Sequence, residues 1–269
     1  MANLVNAEAS SHWYTRQGKA AHEQPKKDGS GMTPTTVKHA REQGLVPSVT
    51  SILKAMANPQ LQSWIVEQGI MAALTLPRLD GETLEDFAHR VVADSKEYTK
   101  GAMDLGTAIH DAAEQYVKVK ALPTDAAIAA HFVPVKEWLD ANVLAVDCCE
   151  VVLVNDAVGY AGRVDLIADI KGVGHCVVDF KTQNQKKDKK GNYKANCYES
   201  WPLQNVAYQR CAPLQTPHIA NLVINVAKPS PCHFELWPDA EQPRYWEVFN
   251  ACFTLWKYQK NYDPTVNVK

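Results

Sequence analysis

GYAGRVDLIADIKGVGHCVVDFKT, residues 159–182, is the stretch that decides how the chain folds. Apolar residues dominate both arms (Val164, Leu166, Ile167 and Ile170, then Val177, Val178 and Phe180), and KGVG between them supplies a turn. This predicts two strands joined by a short connection. Charge breaks the apolar pattern at Asp165 in the first arm and at Asp179 and Lys181 in the second. Side chains alternate along a strand, so Asp179 and Lys181 share one face while Val178 and Phe180 take the other. Two carboxylates on adjacent strands with a lysine beside them can hold a divalent metal and leave a cation near its water. The same residues also fit a half-exposed hairpin with a surface ion pair.

Working outward, MDLGTAIHDAAEQYVKVK carries Leu105, Ile109, Ala112, Ala113, Tyr116 and Val117 at helical spacing from about residue 102. His110 and Glu114, four apart, share a face of it. A helical segment over 125–139 follows, then strand-like runs at 149–154, 160–169 and 175–182. QNQKKDKKGNYK is polar and aperiodic and reads as a loop. WPLQNVAYQRC opens a helix with Pro202 in its first turn, placing Gln204 and Tyr208 on one face. Strands at 219–228 and 232–237 and a closing helix with Tyr245, Phe249, Phe253 and Trp256 complete an expected α/β sandwich on a mixed sheet.

Upstream, residues 1–46 read as a polar, partly irregular arm in which Trp13 and Tyr14 anchor to the body in preference to stacking on a base. Residues 47–100 read as a helical lobe, and 101–269 as the core. In the lobe, Ser48 or Thr50 caps a helix bearing Ile52, Leu53 and Met56. A helix over 60–74 is expected to turn Leu61, Trp64, Ile65 and Gly69 inward, and GETLEDFAHRVVADSKEY to start another.

Hydrophobic residues at 46% and charged residues at 22% are those of an ordinary soluble protein, and a net charge of −2 means that any nucleic-acid site must be a local patch. No apolar run approaches the roughly 18 residues of a membrane span, and the N-terminus lacks a hydrophobic signal core, which points to the cytoplasm and no membrane partner. Seven cysteines, an odd number without C-x-x-C, suit reduced thiols and argue against an iron–sulfur cluster.

Four motifs stand in order: LGTAIHDAAE, GYAGRVD, VVDFKT and PLQNVAYQ. Together they resemble the RecB-like branch of the PD-(D/E)xK nucleases, in which a helix histidine, a G-x-x-D strand, a D-x-K strand and a Q-x-x-x-Y helix build one site. Here these are His110, Gly162 to Asp165, Asp179 to Lys181, and Gln204 to Tyr208. PSVTSIL is similar to a segment of mitochondrial genome maintenance exonucleases and their phage relatives. The resemblance spans about residues 47–228. It implies a restriction-endonuclease-like core and a phage- or bacterial-type exonuclease that acts on single-stranded DNA ends in recombination, repair or replication, with the helical lobe arched over the site. A recombinase, helicase or single-strand-binding protein is a candidate partner.

By the same resemblance, His110, Asp165, Asp179 and the Phe180 carbonyl ligate one or two Mg2+ or Mn2+ ions, and Lys181 orients or helps deprotonate the attacking water. Gln204 and Tyr208 position the strand or a water on the metal. Oxygen ligands suit either ion, and an imidazole favours Mn2+ somewhat. Taken alone, His110 is more often a packed histidine and Gln204 and Tyr208 ordinary helix-surface residues; the four motifs together favour the site. Glu114 reads equally as a partner supporting His110 and as a solvent-facing charge. Glu150 reads as an edge-strand surface charge in preference to an inward ligand. Arg163 reads as a phosphate contact ahead of a pair with Asp169.

Thr182 and the lysines 186, 187, 189, 190 and 194 line the exit of the D-x-K strand, where a DNA backbone would pass; Lys186, Lys187, Lys189 and Lys190 are the principal candidates. Trp201 can stack on a base or pack on the sheet, and Ser48 and Thr50 can bind a phosphate or cap their helix. Three alternatives stand beside the exonuclease: a duplex exonuclease or structure-selective endonuclease on the same chemistry, a catalytically silent DNA-binding accessory protein, and, more distantly, a small-molecule metallohydrolase. Asp179→Ala or Lys181→Ala is expected to abolish cleavage and leave folding and DNA binding largely intact.

Overall fold

A computed structural model describes residues 12–56, 59–212 and 216–266, with side chains outside the description at 59–61 and 96–103. In chain order the elements are β1 (Trp13–Tyr14), β2 (Glu23–Pro25), β3 (Met32–Pro34), α1 (Val37–Gln43), β4 (Val46–Pro47) and α2 (Val49–Leu53). Then come α3 (Pro59–Thr75), α4 (Leu84–Val119), α5 (Ala126–Asn142), β5 (Val143–Asn155), β6 (Tyr160–Ile170) and β7 (Gly174–Gln183). The chain closes with β8 (Lys186–Lys187), β9 (Tyr193–Lys194), α6 (Ser200–Gln209), β10 (His218–Asn225), β11 (His233–Leu236) and α7 (Gln242–Lys260).

The stretch 159–182 is the expected hairpin, β6 against β7, in a five-stranded sheet ordered β11-β10-β7-β6-β5. β7 and β10 run parallel, joined across the face by α6, and the other neighbours are antiparallel. Alternation splits the strands between two apolar layers. Leu166, Val178, Phe180 and Leu222 pack with Ile109, Ala113, Tyr116, Phe132 and Val135 of α4 and α5. Val177, Ile167 and Ile219 pack on the other side with Val49, Ile52, Val206, Phe249 and Trp256 of α2, α6 and α7. The α/β sandwich on a mixed sheet, with a helical N-terminal region, is therefore the observed architecture.

Several local expectations change. The helices predicted on either side of residue 100 are one 36-residue helix, α4, capped at its start by Thr83 and crossing the expected boundary between lobe and core. Gly101 costs about 1 kcal/mol against alanine in a helix interior, too little to stop a helix whose later turns pack on the sheet. α3 forms as expected, but Ile65 is 48% exposed, and Trp64 is only half-buried. Apolar residues lie all round α3, so periodicity could not choose its inner face; Leu61 lies outside the described side chains.

The described part of the arm, 12–46, is more regular than expected. β1 pairs with β4 and β2 with β3, and Thr36 caps α1. Trp13 is fully buried, edge-on to Trp256 at 5.8 Å and near Tyr262, whose hydroxyl donates to the Leu45 carbonyl. It anchors the arm, as the sequence suggests. The basic stretch expected as a loop is a β8–β9 hairpin. Its turn is built by the Asp188 carboxylate accepting the Lys190 and Asn192 N–H groups and by Gly191 at φ +85°.

The cysteines stand as free thiols, three of them buried. Among the described residues no helix is long and apolar enough to cross a membrane.

Candidate active site

The β6–β7 ladder runs from Ile170–Gly174 up to Leu166–Val178 and then changes character. One position further, the Phe180 N–H donates to the Asp165 carboxylate at 2.7 Å, so a side chain replaces a ladder carbonyl. This fixes Asp165, which is only 9% exposed. His110, on α4, lies with its ring edge-on to Phe180 at 5.9 Å and its Nδ1 3.7 Å from Asp165 Oδ2.

The third member of this group is Glu150 on β5. Its φ of +55° is left-handed, a conformation that a residue with a Cβ adopts at some cost. The register on either side, Cys149 with Leu166 and Val151 with Val164, sets Glu150 opposite Asp165. His110, Glu150 and Asp165 each offer a ligand atom, and these atoms lie within 4.8 Å of one another. The side chain of Glu150 is 10% exposed, so the expectation of an edge-strand surface charge is corrected.

Two carboxylates held this close and this buried resist ionisation together. Burial, then the Asp165 charge, pushes Glu150 up to about 7. Burial, then Asp179, holds Asp165 well above the usual carboxylate range. Burial lowers His110, partly offset by Asp179, so its ring is neutral and free to donate a lone pair. A divalent cation relieves the repulsion that raises the acids, and an imidazole with two carboxylates is a donor set that Mn2+ or Mg2+ accepts.

Asp179 and Lys181 share the α6 face of β7, as alternation predicts. Asp179 Oδ1 accepts from Gln204 Nε2 at 2.8 Å, while its Oδ2 accepts from Asn221 Nδ2 at 2.9 Å and Lys181 Nζ at 2.7 Å. Lys181 Nζ also donates to Gln204 Oε1 at 2.9 Å, and Gln204 Nε2 to the Tyr208 hydroxyl at 3.0 Å. Gln204 and Tyr208 are thus buried network members and not helix-surface residues. Asp179 thus accepts one N–H donor on Oδ1 and two on Oδ2, which leaves Oδ1 room for a further partner. Glu150 joins the convergent group as a residue that the sequence did not single out as a ligand. Asn221 escaped the sequence reading. Its signal was a polar residue in the apolar run IANLVIN, and it is fully buried.

Two glycines let the motifs meet. A Cβ on Gly162 would come within 3.0 Å of Tyr208 Cδ1, closer still to Cε1, and 3.2 Å from Val49 Cγ2. One on Gly106 would lie 2.7 Å from Thr182 Oγ1. Thr182 accordingly sits beneath α4 as a packing residue.

The remaining candidates divide. Arg163 pairs with Glu150 and reaches Glu114 at 3.4 Å, so the alternative pair with Asp169 does not form. Glu114 is held by Lys118 and by Arg163, which also pairs with Glu150. Lys186, Lys187, Lys189, Lys190 and Lys194 are exposed on the β8–β9 hairpin. Trp201 is 7% exposed and edge-on to Tyr198, so it packs and presents no face to a base. Ser48 is buried and caps α2 by accepting the Ser51 N–H, which leaves Thr50 as the exposed hydroxyl of the pair.

No protein-family model and no curated protein matches this chain.

Proposed function

We propose that the chain is a metal-dependent deoxyribonuclease of the RecB-like PD-(D/E)xK kind, an exonuclease working from single-stranded ends. One observation carries this: a convergent imidazole and two carboxylates stand beside a lysine that is itself fixed by a buried carboxylate and an amide. His110, Glu150 and Asp165 would hold Mg2+ or Mn2+, with Asp179 and the Phe180 carbonyl as further oxygens by resemblance. A divalent ion bound there supplies Lewis-acid polarisation of a phosphoryl oxygen and activates a water.

The protein's own groups do the rest. Asp179 and Gln204 hold the Lys181 ammonium at one point, so it meets the negative charge that develops on the phosphoryl oxygens without reorganising. The Tyr208 hydroxyl and Asn221 fix Gln204 and Asp179 in turn. The exposed lysines of the β8–β9 hairpin, which directly follows β7, suit the passage of a phosphate backbone.

The test is degradation of an end-labelled single-stranded oligonucleotide with Mg2+, Mn2+ or EDTA, beside a circle of the same sequence. Metal-dependent loss of the linear strand alone supports the exonuclease. Loss of both makes it an endonuclease, and binding without cleavage makes it a silent accessory protein.

A further inference from the structure

Away from His110, a second group converges. Cys197, His233 and Glu235 bring a thiol sulfur, an imidazole nitrogen and a carboxylate oxygen within 4.8 Å of one another. His233 and Glu235 are two apart on β11, so their side chains leave the same face of that strand. Phe234 between them goes the other way and stacks on Trp138 at 5.1 Å. The face of His233 and Glu235 is that of the catalytic network. Asn221 is the ladder partner of Glu235 on one side and of Asp179 on the other, and Trp237, two residues on, donates to Asn221 at 2.8 Å.

Cys197 arrives from a distant segment, the link between the basic hairpin and α6. Its sulfur lies within 4.8 Å of the Glu235 carboxylate, and His233 Nε2 lies 2.8 Å from the same carboxylate. A thiol, an imidazole and a carboxylate gathered from two segments make a three-ligand zinc set with a fourth position for water. The sulfur selects against Mg2+ and Ca2+, which prefer oxygen.

We propose that Cys197, His233 and Glu235 form a Zn2+ site that clips the 195–199 link to the outer strand of the sheet. On binding, the Cys197 S–H proton passes to solvent and the thiolate, the imidazole nitrogen and a carboxylate oxygen donate their lone pairs; nothing is oxidised or reduced. The clip fixes both ends of the link, the basic hairpin before it and the first turn of α6 after it. Through the Glu235–Asn221–Asp179 row it also adjoins the network that holds Lys181. This site stands whether or not the protein is a nuclease.

Co2+ serves as the probe, because a thiolate ligand gives a near-ultraviolet sulfur-to-cobalt band that the nitrogen and oxygen donors around His110 cannot produce. The unaltered protein should show the band. Cys197→Ser should lose it, and His233→Ala should weaken Co2+ binding about tenfold or more. Asp165→Asn, which disables the other centre, should keep it. Zinc retained after desalting should fall by one equivalent in both Cys197→Ser and His233→Ala. Far-ultraviolet circular dichroism checks folding, and either variant alone suffices if the other misfolds. Absence of the band in the unaltered protein, or its survival in Cys197→Ser, overturns the assignment.

Discussion

Gly162→Ala should damage the protein through Tyr208. The new methyl would sit 3.0 Å from Tyr208 Cδ1, nearer still to Cε1, and 3.2 Å from Val49 Cγ2. Neither neighbour can swing into solvent, since Tyr208 is 3% exposed and Val49 fully buried. Overpacking of this kind costs about 1–3 kcal/mol, and each kcal/mol lowers the Tm of a domain this large by about 2–4 °C. Shifting Tyr208 also pulls on Gln204, which touches both Asp179 and Lys181, so hydrolysis should fall further than stability explains.

A double-mutant cycle isolates the contact. Tyr208→Leu alone leaves a cavity and should cost about 2–4 kcal/mol. Combined with Gly162→Ala it makes room for the methyl, so the pair should cost about 1–3 kcal/mol less than the sum of the singles. Urea unfolding of the four proteins measures this. Additivity within about 0.5 kcal/mol, or a Gly162→Ala protein as stable as the parent, would refute the idea that this glycine exists to admit the tyrosine ring.

Metal binding should depend on pH through Glu150. Its folded carboxyl holds a proton up to about 7, against 4.5 for the free group, so the metal-free protein loses stability as pH rises between those values. His110 works in the opposite sense: burial favours its neutral ring, so stability is lost as pH falls below 6.5. Asp165, Glu150 and His110 must all be deprotonated to ligate, so the Tm gain on adding Mn2+ should keep growing as pH rises from 5 through 7, and Glu150→Gln should make that rise shallower; differential scanning fluorimetry reads both. Asp179→Ala should strip Lys181 and Asn221 of a buried partner and cost about 3–5 kcal/mol in chemical denaturation. Replacing Lys186, Lys187, Lys189, Lys190 and Lys194 with glutamine should weaken single-stranded DNA binding and lower the log–log salt slope by about 0.7 for each phosphate that a lysine no longer neutralises; an unaltered slope in fluorescence anisotropy would make the hairpin a merely solvated surface.

The hairpin over 159–182 was legible because its two apolar arms flank a glycine turn and because Asp179 and Lys181 fall at a period of two. α6 was legible from Pro202 and the apolar surround of Gln204 and Tyr208. Glu150 was not, because its inward turn depends on a left-handed backbone that CCEVV does not announce; only the register against Asp165 reveals it. The continuity of α4 was hidden by Gly101, whose local penalty is smaller than the gain from docking the later turns. The pairing of β1 with β4 joins two-residue strands more than thirty residues apart, so no local pattern could show it. Asn221 was readable only as an anomaly, a polar residue in a buried strand, and its partners needed the three-dimensional row.

Lys181→Met asks whether the fixed ammonium takes part in cleavage. Cleavage of an end-labelled single strand in Mn2+ is compared for this variant and the parent, with EDTA as the blank and DNA affinity measured in parallel. The parent should cut only with metal, and Lys181→Met, folded and binding DNA as before, should be slower by about a hundredfold to a thousandfold. A variant that cuts as fast as the parent would place the chemistry elsewhere on the molecule.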